Sequence, residues 1–295
     1  MLAVLLAGGP GSAGGRDDAP GAKLTPDPAI VCERCGVWNT PQEPFRIFGN
    51  TYYVGTAGLG SVLIVSDAGL VLLDGALPQS APLIDANIRR LGFQTEMIKL
   101  IVTSHTHFDH VGGVAALQRA TGAEVAASAA SARALEAGGP TADDPQVAYR
   151  GVFPRVKRIR AIDGGETLRV GEVAITAHAT PGHTPGGTTW TWKSCDGPRC
   201  LDVVYADSLN AVSGPDYRFS AHPAALEAFR RSIRTVASLP CDILLSDHPD
   251  FFGMAGKVAR RAAQAEPNPF VDPSACRAYA ANAEQQLERR LADER

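Results

Sequence analysis

The sequence predicts an α/β protein made of two similar βα halves packed sheet on sheet, with helices outside. Three observations lead there. Strands come mainly first in each half, with helices interleaved or trailing, an order that suits layered packing. Short apolar runs such as Leu100-Ile101-Val102 and Ile243-Leu244-Leu245 stop abruptly at polar groups, as buried strands do. The chain has 295 residues, 45% hydrophobic and 20% charged, enough for one large core or two ordinary ones. No strong residue-level repeat relates the two halves.

Residues 1–42 are rich in Gly, Ala, Pro and charge, and read as a possible signal remnant, a tail and an N-terminal arm; 43–295 read as one folded domain. Leu2-Ala3-Val4-Leu5-Leu6-Ala7 suits the apolar part of a secretory signal but lacks a basic start, which leaves a disordered tail as the other reading. No apolar run reaches the roughly 18 residues of a spanning helix, so no membrane partner is expected. The net charge of -3, with no run of Lys and Arg, argues against nucleic acid.

Structure is expected to begin with a hairpin over Phe45–Val54, turning at Gly49-Asn50, and a second over Ser61–Asp74 around Asp67-Ala68-Gly69. Asp74 ends an apolar strand, either as a turn former or as a brace for a metal ligand. Ile84, Ile88 and Leu91 place a helix over 81–91, and a strand follows at 98–103. Helices near 113–121 and 129–137 flank a strand near 124–127. An irregular stretch from Gly138 to about 153 has the length of a binding loop. The second half starts near Val156. Segments 158–162 and 168–170 flank the turn Asp163–Glu166, and strands follow near 173–177, 188–192, 202–206 and 242–248. A helix from Pro223 to Ala237 and a helical C-terminal region complete the chain.

Six cysteines, an even number, suggest disulfides in an exported protein, with fifteen possible connectivities. Cys195 and Cys200 flank a turn-rich tip. Cys32-Glu33-Arg34-Cys35 could be half a zinc ribbon or a redox pair, but neither a second pair nor a βαβ setting accompanies it. A staple in the N-terminal arm is the better reading. Periplasmic or secreted location is expected.

The chemistry concentrates in Ser104-His105-Thr106-His107-Phe108-Asp109-His110, which holds three of the seven histidines. Packing does not explain imidazoles crowded in one loop; a cation organising them does. Zinc takes nitrogen, oxygen or sulfur ligands in tetrahedral sites. Side chains two apart in an extended segment point the same way, so His105 and His107 can grip one ion. Asp109 and His110 point elsewhere and can serve a second. Each ion then needs one distant ligand, and His183 and His248, both at strand ends, are the candidates. His178 and His222 read as ordinary, partly exposed residues.

The pattern His-x-His-x-Asp-His, together with Thr180-Pro181-Gly182-His183 and Ser246-Asp247-His248-Pro249, resembles the metallo-β-lactamase superfamily from about Pro44 to Cys276. The resemblance implies a four-layer αβ/βα sandwich and is closest to the third subclass of class B β-lactamases. It implies two Zn2+ per chain, one on His105, His107 and His183, the other on Asp109, His110 and His248. The other subclasses place a cysteine after the 202–206 strand, where this chain has Ser208. The resemblance also implies disulfides between Cys241 and Cys276 and between Cys195 and Cys200. Ala206-Asp207-Ser208-Leu209 is in addition similar to a motif of glyoxalase II and lactonase relatives, whose aspartate bridges both metals; Asp207 is left outside the ligand set.

The expected partner is a small-molecule β-lactam, a penicillin, cephalosporin or carbapenem, and the expected state a monomer. Zinc lowers the pKa of bound water to about 7, which makes hydroxide available as the nucleophile. Asp109 is the expected catalytic residue that orients it. Ser208, Asn210 and Gln146 are expected to contact substrate, and the loop Thr56–Gly60 to wall the pocket. The alternative is another hydrolase on the same fold, a lactonase or a glyoxalase II-like thioesterase.

Overall fold

Alternation along the strands of the first half sorts side chains between two cores. Val71 and Leu73 join one apolar cluster, and Leu70 and Leu72 the other. That period of two builds a sheet apolar on both faces. The computed structural model describes residues 24–264 and 266–295; the apolar stretch Leu2–Ala7 lies outside them.

The first sheet runs in sequence order: β1 Phe45–Phe48, β2 Thr51–Tyr53, β3 Val62–Ser66, β4 Gly69–Leu73, β5 Ile98–Val102, β6 Glu124–Ser128 and β7 Ile159–Ile162. It is antiparallel through β4 and parallel from β4 to β7. The second sheet contains β8 Thr167–Val170, β9 Val173–Ala179, β10 Thr188–Asp196, β11 Arg199–Ala206 and β12 Ile243–Ser246, in the order β12-β11-β10-β9-β8. The helices are α1 Cys35–Trp38, α2 Ala81–Arg90, α3 Phe108–Val111, α4 Val114–Thr121, α5 Ala129–Ala137, α6 Pro223–Ser238, α7 Met254–Ala263 and α8 Ala275–Asp293.

One core lies between the sheets and under α6 and α8, where Val71 and Val102 share a cluster with Trp190, Val203, Phe229 and Leu287. The other lies under α2, α4 and α5, with Ile84, Leu117 and Leu135 against Leu72 and Ile101. The result is four layers, helix–sheet–sheet–helix. Three buried hydrogen bonds join the sheets at one end. The Trp190 indole donates to Thr103 O (2.9 Å), Thr188 N to Ser104 O (2.8 Å) and the Tyr205 hydroxyl to Asp74 Oδ2 (2.8 Å).

The boundary between halves differs from expectation. Residues 159–162 do not open the second half. They pair parallel to β6 and close the first sheet, while β8 pairs antiparallel with β9. The Asp163–Glu166 turn crosses between sheets. Turn composition is the same for a hairpin and for a crossing, so only the pairing partner distinguishes them.

All six cysteines are paired, Cys32 with Cys35, Cys195 with Cys200 and Cys241 with Cys276. Cys195 and Cys200 face each other across β10 and β11, which extend well beyond the expected strands to form a long hairpin. The arm is packed on the domain. Leu24, Ile30 and Trp38 lie against the outer core, and Gln79 exchanges two hydrogen bonds with Ile30.

Candidate metal centre

The site is built where β5 ends. Asp74 follows β4 with φ 58°, a left-handed conformation aspartate tolerates. There its carboxylate accepts from both the N–H and the hydroxyl of Ser104, each at 2.7 Å. It thus braces the loop rather than a ligand directly. The chain stays extended to His107, which has ψ 154°, then turns into α3. Extension puts the rings of His105 and His107 together, with centroids 4.8 Å apart. The helical turn carries Asp109 and His110 to a neighbouring position.

The second half completes both groups. His183, in the loop between β9 and β10, brings its ring within 4.8 Å of His105 and 5.0 Å of His107. His248, just after β12, lies 4.7 Å from the His110 ring, and Asp109 Oδ2 is 3.4 Å from His110 Nε2 and 3.7 Å from His248 Nε2. Ligand atoms of each trio, His105/His107/His183 and Asp109/His110/His248, lie within 4.8 Å of one another.

Second partners set the imidazole orientations. His105 Nδ1 donates to Asp207 Oδ1 at 2.9 Å, with Asp247 Oδ2 at 3.1 Å. His107 Nε2 faces Asp144 at 3.2 Å, and His183 Nδ1 donates to Asn210 O at 3.1 Å. His248 Nδ1 faces Gly58 O at 3.3 Å. His105 Nε2 and His110 Nδ1 are buried with no hydrogen-bond partner. A buried nitrogen in that state is costly, and a cation bound at His105 Nε2, whose Nδ1 is already on Asp207, would relieve the cost there, so the donor set fits a metal. Groups His105, His110 and Asp247 also converge, but Asp247 is already engaged by Ser208, Ser246 and the N–H of His248.

Charge follows the same geometry. Burial pushes the His183 imidazole well below its usual range, helped by His105 and His107, so it stays neutral. Burial opposes ionisation of Asp109, but His110, His248 and His107 outweigh it and hold the carboxyl well below its ordinary value. Burial raises Asp207 to about 7 against the pull of His105. Burial also works against a charged His105, yet Asp207 and Asp247 reverse this and raise it well above normal.

A cavity of about 480 Å³ opens onto these groups, lined by His107, Asp109, His110, His183 and His248. Gln146 and Asn210 also line it, as does Gly58 from the Thr56–Gly60 loop. Ser208 differs from expectation. It is 1% exposed, and its N–H and hydroxyl both donate to Asp247 Oδ2, so it faces inward and not into the cavity. His178 and His222 are apart, bonded to Thr191 and to Arg218 O.

Sequence reasoning missed Asp144, Asp247 and the wall formed by Arg34 and Trp38. An acid directly before His248 was a usable signal for Asp247. Asp144 had none beyond its irregular loop, and the arm offered only its cysteines. Asp207 is in neither trio; its free Oδ2 is packed against Gly187, where a Cβ would lie 2.2 Å away.

A family signature described as the metallo-beta-lactamase superfamily matches residues 57–248. Among solved structures, the Rm3 metallo-beta-lactamase is 53% identical with a TM-score of 0.87, over 90% of this chain and 99% of that one. MEM-A1, described as a subclass B3 metallo-beta-lactamase from a soil metagenome library, is 47% identical, with a TM-score of 0.85 over 87% and 98%. MIM-1 from Novosphingobium pentaromativorans is 43% identical, with a TM-score of 0.83 over 87% and 92%. A hydroxyacylglutathione hydrolase of Cereibacter sphaeroides is 30% identical over 57% of this chain and 53% of its own length. The chain thus spans about half the length of that curated relative.

Proposed function

The chain belongs to the metallo-β-lactamase superfamily, and from that premise we propose that it is a zinc-dependent β-lactamase of the third subclass. It opens the amide bond of penicillins, cephalosporins and carbapenems and so confers antibiotic resistance. The observation that carries this reading is the pair of adjoining trios, five histidines and an aspartate with no cysteine, beside one cavity.

In this reading His105, His107 and His183 hold one Zn2+, and Asp109, His110 and His248 hold a second. Bound zinc supplies a water acidified to a pKa of about 7 and a Lewis-acid pull on the lactam carbonyl. Asp109, kept ionised by its neighbours, accepts a hydrogen bond from the attacking water and orients it. Asp207, Asp144 and the Asn210 carbonyl fix the imidazoles, so no reorganisation is needed during reaction. Gln146, whose amide nitrogen lies 3.2 Å from His183 Nε2, and Asn210 line the cavity where the substrate would sit. Trp38 and Phe108 cover apolar parts of the lactam and exclude water from it.

Three disulfides support a periplasmic or secreted location, and no helix among the described residues is long and apolar enough to cross a membrane. We take the working unit to be a monomer acting on a small molecule. The test is turnover of a penicillin, a cephalosporin and a carbapenem by zinc-loaded protein, beside a homoserine lactone and a glutathione thioester. Faster β-lactam hydrolysis is expected. Thioester or lactone turnover without β-lactam turnover would overturn the assignment in favour of a glyoxalase II-like or lactonase activity.

A further inference from the structure

The Cys32 to Cys35 disulfide closes a short loop whose consequence lies in the cavity, not in the arm. Cys35 is buried against the outer core, and α1 begins there. Trp38 N donates to Arg34 O at 2.8 Å, Thr56 Oγ1 donates to Trp38 O at 2.5 Å, and Ala57 N donates to Thr40 O at 2.9 Å. Ser80 Oγ donates to Asn39 Oδ1 at 2.6 Å. This stretch is therefore fixed at both ends, and it delivers two side chains to the cavity wall. The Trp38 ring lies 5.7 Å from that of His248, and the Arg34 guanidinium carbon lies 5.5 Å from the Trp38 centroid.

Arg34 is the only lysine or arginine among the described residues lining that cavity. It is exposed, and no carboxylate pairs with it among the described residues. The other exposed charge in the lining is Asp250, which repels anions. The remaining polar wall groups suited to a carboxylate are weak competitors. Gln146 and Asn210 are neutral, the Tyr149 hydroxyl donates to Ser213 O, and Ser208 is turned onto Asp247. A guanidinium held on an indole face keeps its fork free and matches a carboxylate in two parallel hydrogen bonds.

We propose that Arg34, positioned by the disulfide-closed turn and the Trp38 face, is the residue that selects substrates by their carboxylate. The proposal rests on the β-lactamase reading, and the test separates the two. Steady-state kinetics would compare wild type, Arg34→Gln and Arg34→Lys on a cephalosporin and on its carboxylate methyl ester, at low and high salt. Equilibrium binding of the hydrolysed product would be measured in parallel. Arg34→Gln should raise KM for the acid about three- to tenfold, with kcat within about twofold, and weaken product binding by a similar factor. It should leave the ester unchanged and flatten the salt dependence of KM. Arg34→Lys should recover part of the loss.

Equal effects of Arg34→Gln on acid and ester, or no effect on either, would overturn the proposal while leaving the β-lactamase reading intact. Failure of the wild-type protein to hydrolyse any β-lactam would instead sink that reading. Replacing both Cys32 and Cys35 by Ser offers a second arm. It should raise KM for the acid more than for the ester, since the same turn carries Trp38, which contacts both. An unchanged acid KM in a folded double variant would remove the disulfide from the proposal.

Discussion

The two ligand trios differ in how they are held. In the first, each imidazole has its own brace: two carboxylates at His105, Asp144 at His107 and the Asn210 carbonyl at His183. His105 has no exposed side-chain surface. In the second, His248 is 18% exposed and leans on one loop carbonyl, Gly58 O at 3.3 Å, between the rings of Trp38 and Phe251. Ligands whose orientation is fixed before binding lose less entropy when a metal arrives. The difference teaches that the first trio is the more rigidly held and the second the more adaptable, and in the proposed two-zinc reading the first would be the anchor.

The largest test removes a ligand from the anchor. His105→Ala should drop turnover to the level of metal-free protein and lower bound zinc, read by elemental analysis; near-normal turnover would break the comparison. Chelator titration of wild type should release zinc in two steps, the second trio emptying first, followed by metal analysis and activity. Simultaneous release would show the trios to be equal. His248→Ala should then lose mainly one zinc and keep the other, and unchanged metal content would remove His248 from the second trio.

Next in size are the braces. Asp207→Asn, which touches His105 alone among the six, should weaken metal binding at the first trio about 10- to 100-fold and spare the second, as measured by competition with a zinc indicator. Equal losses at both would mean that Asp207 supports the site generally.

The smallest effect concerns the loop carrying Asn210. Glu294 on the C-terminal side of α8 accepts from Ser220 N and Phe219 N at the far end of that loop. Burial resists its ionisation, but Arg290 and these N–H groups outweigh it and lower it from 4.5 to about 2. Its contribution is therefore complete above pH 4.5 and is lost as pH falls through about 2. Glu294→Gln should cost about 1–2 kcal/mol at neutral pH, with the denaturation midpoints of variant and wild type converging in acid. A constant gap across that range would place the effect elsewhere.

Much of this was legible in the sequence because the signals are local. The alternation in β3 and β4 and the His105–His110 motif each sit within a few residues, and His183 and His248 were marked by strand ends. The crossing at Asp163–Glu166 was not, since parallel pairing with β6 is a relation across more than 30 residues that turn composition does not encode. Ser208 was misplaced for a similar reason. Its position after β11 was clear, but its rotamer depends on Asp247, which arrives from β12. Asp144 illustrates the limit, an acid in an irregular loop whose role exists only once His107 faces it.

The bonds from Trp190, Thr188 and Tyr205 to the end of the first sheet have a consequence for dissection of the chain. They tie together two pieces that meet in sequence only at the crossing turn. Cleaved between Asp163 and Glu166, the N-terminal fragment would carry four of the six residues of the two trios and the C-terminal fragment two. Neither fragment alone would own a full trio. Zinc would then act as a reporter of fragment reassembly, and by mass action as its driving force.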